Sequence, residues 1–327
     1  ADNGLGVAAI MSILESSDIA HPSIEALFTI DEETGMTGAL GLKPGQLTGE
    51  ILLNLDTEED DEIDIGCAGG IDVTASANYN LTSTSSNFVK IEIKGLQGGH
   101  SGMDIHKGFG NSNVILGRLL YAGISNEIQL ISIDGGGLRN AIPREAHALV
   151  AVNNANEFLQ KLETLKSDIL EEFASVEKDL EINFATDENT ENGLSVEDSK
   201  KIILALKSAH NGVYRMSPDV EDLVEASNNI ARVELKNGGL KILNLTRSSV
   251  ESTKMAVAEQ LKSVFELAGM QVEFSGSYPG WKPKPGAEII KIMTEIYEKD
   301  FGAKPHVVAC HAGLECGIIG ANYPKME

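Results

Sequence analysis

Cysteine is scarce: three residues in 327, Cys67, Cys310 and Cys316, with no C-x-x-C spacing. Three thiols make no disulfide framework and no signal-peptide pattern precedes them, so a cytoplasmic protein with cysteines as small packing residues is expected. Long apolar runs are lacking as well. None approaches the roughly 20 residues that span a bilayer, which argues against a transmembrane helix. Basic residues are few: 26 Lys plus Arg stand against 49 Asp plus Glu, a net charge of −23. Such a field repels phosphate backbones and anionic lipid, so neither nucleic acid nor membrane is an expected partner. Internal repeats and low-complexity tracts are missing too. The chain opens on Ala1-Asp2-Asn3-Gly4 rather than Met, which reads like the middle of a domain, and a fragment is expected.

What is present is globular in character. A composition of 42% hydrophobic and 23% charged residues, over 327 residues, suits one large or two ordinary domains with ample core. Residues 5–14 are almost wholly apolar and predict a buried helix capped by Asp2 or Asn3. Apolar runs at 24–30 and 51–55 predict parallel strands covered on both faces. Both runs end in acid, Asp31-Glu32-Glu33 and then Asp56 with Glu58 and Glu59, where open α/β sheets gather their ligands.

After Gly70 the texture changes to alternation, as in Val89, Ile91 and Ile93 and again over 146–152, the mark of antiparallel strands with one wet face. Helices are expected at 111–122, 157–176, 196–207 and 254–268, the second carrying Phe158, Leu162, Leu165, Ile169 and Phe173 at helical spacing, and an acidic loop at 187–198. A Gly/Pro-rich crossing at 277–286, a helix at 287–301 and a strand at 307–310 return to the first texture. The expected architecture is an α/β domain, residues 1–69 plus 277–327, interrupted by a two-layer α+β domain of residues 70–276.

Asp2, Glu32, Glu33 and Asp56 are carboxylates at element ends, and four gathered in one place repel unless a cation lies between them. Two zinc-like ions about 3.5–4 Å apart would need a bridging carboxylate, terminal carboxylates and imidazoles, and a further carboxylate to deprotonate water. The plain alternative is solvated acids in a chain with 49 of them, with Asp2 as a helix cap. Spacing alone does not separate the two.

Further segments fall in a familiar order: Asp31-Glu32-Glu33-Thr34-Gly35, Leu55-Asp56-Thr57-Glu58-Glu59, Gly66-Cys67-Ala68-Gly69-Gly70 and Gly98-Gly99-His100-Ser101-Gly102. With Ala1-Asp2-Asn3-Gly4 they resemble the di-zinc M20 metallopeptidases. Gly136-Gly137-Leu138-Arg139-Asn140-Ala141-Ile142-Pro143, Leu245-Thr246-Arg247-Ser248-Ser249, Tyr278-Pro279-Gly280-Trp281 and His311-Ala312-Gly313-Leu314-Glu315-Cys316-Gly317 narrow the resemblance to the aminoacyl-histidine dipeptidase branch, end to end.

The resemblance implies a phosphorylase/hydrolase-like catalytic domain with an inserted lid that dimerises, and hydrolysis of dipeptides with C-terminal histidine. Asp2 would bridge two metal ions, most simply zinc, with Glu33 and Asp56 as terminal ligands and Glu32 as general base. His100 would stabilise the oxyanion, often in the partner subunit's site, where the residues alone suggest a surface turn. Asn140 would contact the peptide rather than merely stabilise its turn, and Arg247 would take a carboxylate rather than a structural ion pair. His311 would belong to the pocket wall near the substrate, with Glu315, although a buried structural pair reads as well. The family's His-x-Asp and His-Ser-Pro-Asp-Glu motifs are not found within these 327 residues. Each metal would then lose its imidazole, and the chain as it stands is expected to be inactive or impaired. The competing readings are a non-catalytic dimerisation or binding module and an M20 hydrolase of another dipeptide or of N-acyl amino acids.

Overall fold

Residues 3–57, 59–85, 87–188 and 191–327 are described by the computed structural model; Asp2, the expected bridging ligand, and Glu58 lie outside them. The chain opens with α1 (Gly4–Glu15), capped by Asn3, whose Oδ1 accepts from the Gly6 N–H at 2.8 Å. Then come α2 (Glu32–Gly35), α3 (Thr37–Gly41), β1 (Glu62–Cys67), β2 (Gly69–Asn78), β3 (Asn87–Lys94) and the two-residue β4 (Gly99–His100). The middle of the chain forms α4 (Ser112–Ala122), β5 (Gln129–Gly136), β6 (Ala141–Ile142), β7 (Ala146–Val152), α5 (Ala155–Phe173), β8 (Glu181–Asp187) and α6 (Val196–Ser208). It continues with β9 (Gly212–Met216), β10 (Val224–Lys236), β11 (Gly239–Ser248), α7 (Glu251–Leu267), β12 (Gln271–Tyr278), α8 (Glu288–Phe301), β13 (His306–Cys310) and α9 (Glu315–Asn322).

One antiparallel sheet dominates, in the order β12-β2-β11-β10-β5-β7-β3-β8, with β9 also paired to β10. Helices α4 to α7 cover one face. Phe158, Leu162 and Ile169 of α5 are fully buried there with Ile202, Val257, Leu261 and Phe265, against Val73, Ile91, Val150, Val233 and Ile242 of the strands. The expected α5 stripe and the two-layer α+β arrangement are thus present. The opposite face is not wet throughout, as the alternation had suggested. Phe88, Ile131, Leu149 and Ala151 form a second small core there, so β7 is buried on both faces between β5 and β3.

The first part of the chain departs further from expectation. No strand forms at 24–30 or at 51–55, where Ile30 is 74% and Leu53 56% exposed, and α1 is mostly exposed, Leu5 by 84%. A strand is stabilised by the ladder beside it and by covered faces, and among the described residues these runs have no ladder and only partial cover, Leu27 and Leu52 packing against Ala39, Ile318 and Ile319. The ladder that does form is β1 with β13, parallel, joining residues on either side of the large sheet.

That parallel pair is locked to the sheet at several points. Cys67 and Trp281 exchange backbone hydrogen bonds at 2.9 Å, and the Ala68 N–H donates to the Ala312 carbonyl at 2.9 Å. Lys254, 1% exposed on α7, donates from Nζ to the Tyr278 carbonyl at 2.8 Å and pairs with Glu251 at 2.9 Å. The end of β12 is therefore held from both sides.

The loop joining β5 to β6 turns at Gly136, whose φ is +74° and where a Cβ would lie 1.9 Å from the Ala231 carbonyl oxygen. Only glycine fits this approach. Gly136→Ala is expected to lower the unfolding free energy by about 2–5 kcal/mol, the sum of left-handed backbone strain and overpacking, as read from urea denaturation midpoints.

Candidate substrate-binding site

Arg247 lies on β11 between Ser227 of β10 and Gly70 of β2, its register partners, and is 4% exposed. Its Nη1 donates to the Tyr278 hydroxyl at 3.0 Å, while Nε has no hydrogen-bond partner. The Tyr278 ring lies over Gly70, where a Cβ would come within 2.6 Å of it. Burial raises the Tyr278 phenol above its ordinary value, although Arg247 opposes the shift, so the hydroxyl keeps its proton.

Asp72, a nearby acid, does not neutralise Arg247 by contact. Its carboxylate faces Arg139 Nε at 3.0 Å, and Arg139 is pinned in turn by the Asn244 carbonyl at 2.9 Å and Thr74 Oγ1 at 2.7 Å. Burial holds the Asp72 carboxyl above the usual range, with Arg139 and Arg247 pulling the other way.

His100 is brought beside Arg247 by its loop. β4 pairs with β6, His100 opposite Ala141, and the Asp104 carboxylate accepts the His100 backbone N–H at 2.7 Å. His100 Nδ1 accepts from the Met103 N–H at 3.0 Å and from the Gly102 N–H at 3.3 Å. These bonds assign the ring proton to Nε2 by hydrogen-bond logic, and Nε2 sits 3.5 Å from Arg247 Nη2. Burial first, and then the Arg247 charge, lower the His100 pKa, which keeps the ring neutral. Two donors therefore converge, with the unpaired Arg247 Nε and the Tyr278 hydroxyl beside them. Such a cluster suits the oxygens of a carboxylate or a developing oxyanion.

His311 follows β13 and is 5% exposed. Its Nε2 lies 2.7 Å from Ser227 Oγ, and Nδ1 has no partner in good hydrogen-bond geometry among the described residues. A Cβ on Gly102 would fall 2.1 Å from the His311 carbonyl oxygen, so the His100 loop and the 311–314 turn are in close contact. Asn140 is placed differently: its carbonyl accepts from the Ser101 N–H at 2.8 Å, while its side chain is exposed.

Glu32 opens α2 and is half-buried, whereas Glu33 and Asp56 are exposed. Asp31, at φ +65°, accepts from Thr34 and from Thr37, the latter at 2.8 Å. Asn3 Nδ2 donates to the Leu55 carbonyl at 2.5 Å, which ties the start of α1 to the neighbour of Asp56. Among the described residues no three His, Cys, Asp or Glu side chains converge closely enough to hold a metal ion, so those residues do not by themselves fit a metal centre.

Ser227, Tyr278 and Asn229 carried no role in the sequence reading. Asn229, 1% exposed, donates to the carbonyls of Arg139 at 3.1 Å and Ala141 at 2.8 Å and so fixes the loop bearing Asn140. The run Ser227-Asn228-Asn229, three consecutive polar residues between Ala226 and Ile230, was the available signal, since buried polar groups are kept only where they are bonded.

Burial, with the Arg247 charge, pushes the His311 pKa down to about 3. The imidazole stays neutral in the folded chain but gains a proton on unfolding below its ordinary value near 6.5. Its stabilising contribution is present above that value and is lost as pH falls toward 3, at up to about 1.4 kcal/mol per pH unit. His311→Gln is expected to reduce the loss of unfolding free energy between pH 7 and pH 5 by about 2 kcal/mol, measured by urea denaturation at both values.

Comparison with known proteins bears on the whole chain. The peptidase dimerisation domain profile matches residues 91–181. The cytosol non-specific dipeptidase of Escherichia coli (strain K12) is 39% identical over 333 residues, covering 100% of this chain and 68% of that protein. The crystal structure of aminoacylhistidine dipeptidase from Vibrio alginolyticus overlays with a TM-score of 0.95 at 41% identity, covering 99% of this chain and 67% of that one. The chain thus spans about two thirds of the length of both. Identity sustained along the whole chain, with a shared fold, establishes that it belongs to the M20 peptidase family, whose relatives here are dipeptide hydrolases.

Proposed function

We propose that the protein hydrolyses dipeptides, with those ending in histidine as preferred substrates. The observation that carries this reading is the convergence of His100 Nε2 and the buried Arg247 guanidinium, donors that meet no carboxylate among the described residues. Arg247 would take the terminal carboxylate and His100 the carbonyl oxygen of the scissile bond as charge develops on it. Asn140 would line the peptide from its pinned loop. His311 would form the neutral wall of the pocket, since burial keeps it from competing for the carboxylate.

Glu32 is assigned the proton chemistry: it takes a proton from the attacking water as oxygen bonds to carbon, then passes it to the amine as the C–N bond breaks. Two divalent ions, zinc by resemblance, with Asp2, Glu33 and Asp56 as ligands, belong to the same proposal. The described residues alone assemble no such cluster. Residues 70–276 are proposed as the inserted lid through which two copies pair, and residues 1–69 with 277–327 as the catalytic domain. The β1–β13 pair and the matched dimerisation profile support that division. A cytoplasmic setting is supported by the name of the Escherichia coli relative, and no helix among the described residues is long and apolar enough to cross a membrane.

The names of the two relatives imply different substrate breadths, so the preference for histidine is what needs testing. Hydrolysis of β-alanyl-histidine should exceed that of dipeptides with aliphatic second residues, and Arg247→Gln should raise KM about 10–100-fold, the worth of a charge-assisted hydrogen bond. About two zinc ions per chain with chelator-sensitive turnover would support the metal assignment. Neither metal nor turnover, in a chain that still dimerises on sedimentation, would favour the binding-module reading.

A further inference from the structure

Glu315 opens α9 and is 9% exposed, yet its carboxylate is half satisfied. Oε2 accepts from Thr29 Oγ1 at 2.7 Å, whereas Oε1 has no partner. Burying a carboxylate without a cation costs several kcal/mol, and the described residues provide Glu315 with no ion pair. Its location narrows the meaning. Thr29 lies two residues before Asp31 and three before Glu32. Gly313, two residues before Glu315, sits against the Tyr278 ring, where a Cβ would be 3.0 Å from Cε2, and the same ring carries the hydroxyl bonded to Arg247. A buried carboxylate with an unpaired oxygen therefore lies next to the acidic segment on one side. On the other side, the Tyr278 ring that Gly313 touches carries its hydroxyl to a buried guanidinium with an unpaired nitrogen.

A free dipeptide is a zwitterion whose two charged ends are two residues apart, a span of at most about 7 Å. Resting on the dipeptide reading above, we infer that Glu315 Oε1 receives the amino-terminal ammonium group of the substrate while Arg247 receives its carboxylate. The pair would measure the peptide from both ends. N-acylated amino acids, which lack the ammonium, would be disfavoured, and longer peptides would lose one of the two ion pairs.

The test titrates the chain with alanyl-histidine, N-acetyl-alanyl-histidine and alanyl-histidinamide, reading Kd, or KM where the peptide is turned over. Wild type should prefer the free dipeptide over its N-acetyl form by tenfold or more. Glu315→Gln, which keeps shape and can still accept from Thr29, should weaken only ligands with a free amine and leave the acid-to-amide preference unchanged. Arg247→Gln should do the converse. The wild-type comparison alone tests the assignment if a variant fails to fold. Equal wild-type affinity for the free and acetylated peptides, or an unchanged ratio in a folded Glu315→Gln, overturns the Glu315 assignment while binding that depends on Arg247 leaves the dipeptide reading standing. Failure of wild type to bind any of the three overturns both.

Discussion

A guanidinium placed in a sheet interior without a carboxylate in contact is the constraint on which the site depends. Removing Arg247 from water carries a penalty of several kcal/mol, and what offsets it is indirect: a phenol hydroxyl at 3.0 Å, a neutral imidazole and the more distant charge of Asp72. Its neighbours must therefore stay uncharged or be tied elsewhere. His100 is held neutral by burial and by Arg247 itself, His311 by deeper burial still, and Asp72 is committed to Arg139. The result is a locus of positive potential, which the dipeptide proposal fills with a ligand oxygen.

Such a locus is useful only if its walls are rigid, and a buried amide network supplies that. Asn228 accepts from Thr246 Oγ1 at 3.0 Å and donates to the His210 carbonyl at 2.7 Å, while Asn244 donates to the Val73 carbonyl at 3.2 Å. Asn111 and Asn113 both bond the Ile230 carbonyl, next to the register shift of β10. Because these side chains are almost fully buried, leaving one unpaired costs about 1–3 kcal/mol, so the network selects a single arrangement of β10, β11 and the Asn140 loop. Ser227 extends the same strand toward His311 and so joins the sheet to the turn after β13.

That turn also gathers the three cysteines. Cys67 and Cys310 are register partners across β1 and β13, and burial pushes their thiols up to about 12 and about 11. Thiols held protonated in this way are packing residues, and Gly317 passes close to Cys67 Sγ accordingly. The close seam of turn, glycine loop and β12 end is what holds the Tyr278 hydroxyl on Arg247.

Much of this was legible in the residues. The helical spacing of Phe158, Leu162 and Ile169 marks a face that can be buried only against a sheet, and the structure buries it there. The glycines around His100 and at 135–137 announced tight turns, and a charged residue ending an apolar strand announced Arg247. The strands read at 24–30 and 51–55 failed because a strand is a property of a pair, and an apolar run does not say whether its partner is there. Glu33 and Asp56 at their ends are left exposed for the same reason.

By itself, the sequence determined the local periodicities, the turns that only glycine allows, the acidic field and, through its ordered motifs, the family. Tertiary structure alone decided that Arg247 touches no carboxylate among the described residues, that His100 presents Nε2 beside it, that Ser227 meets His311 across 84 residues and that Glu315 is buried half satisfied. Desolvation and unpaired donors depend on distances between segments far apart in the chain, and no spacing along one strand or helix encodes those distances.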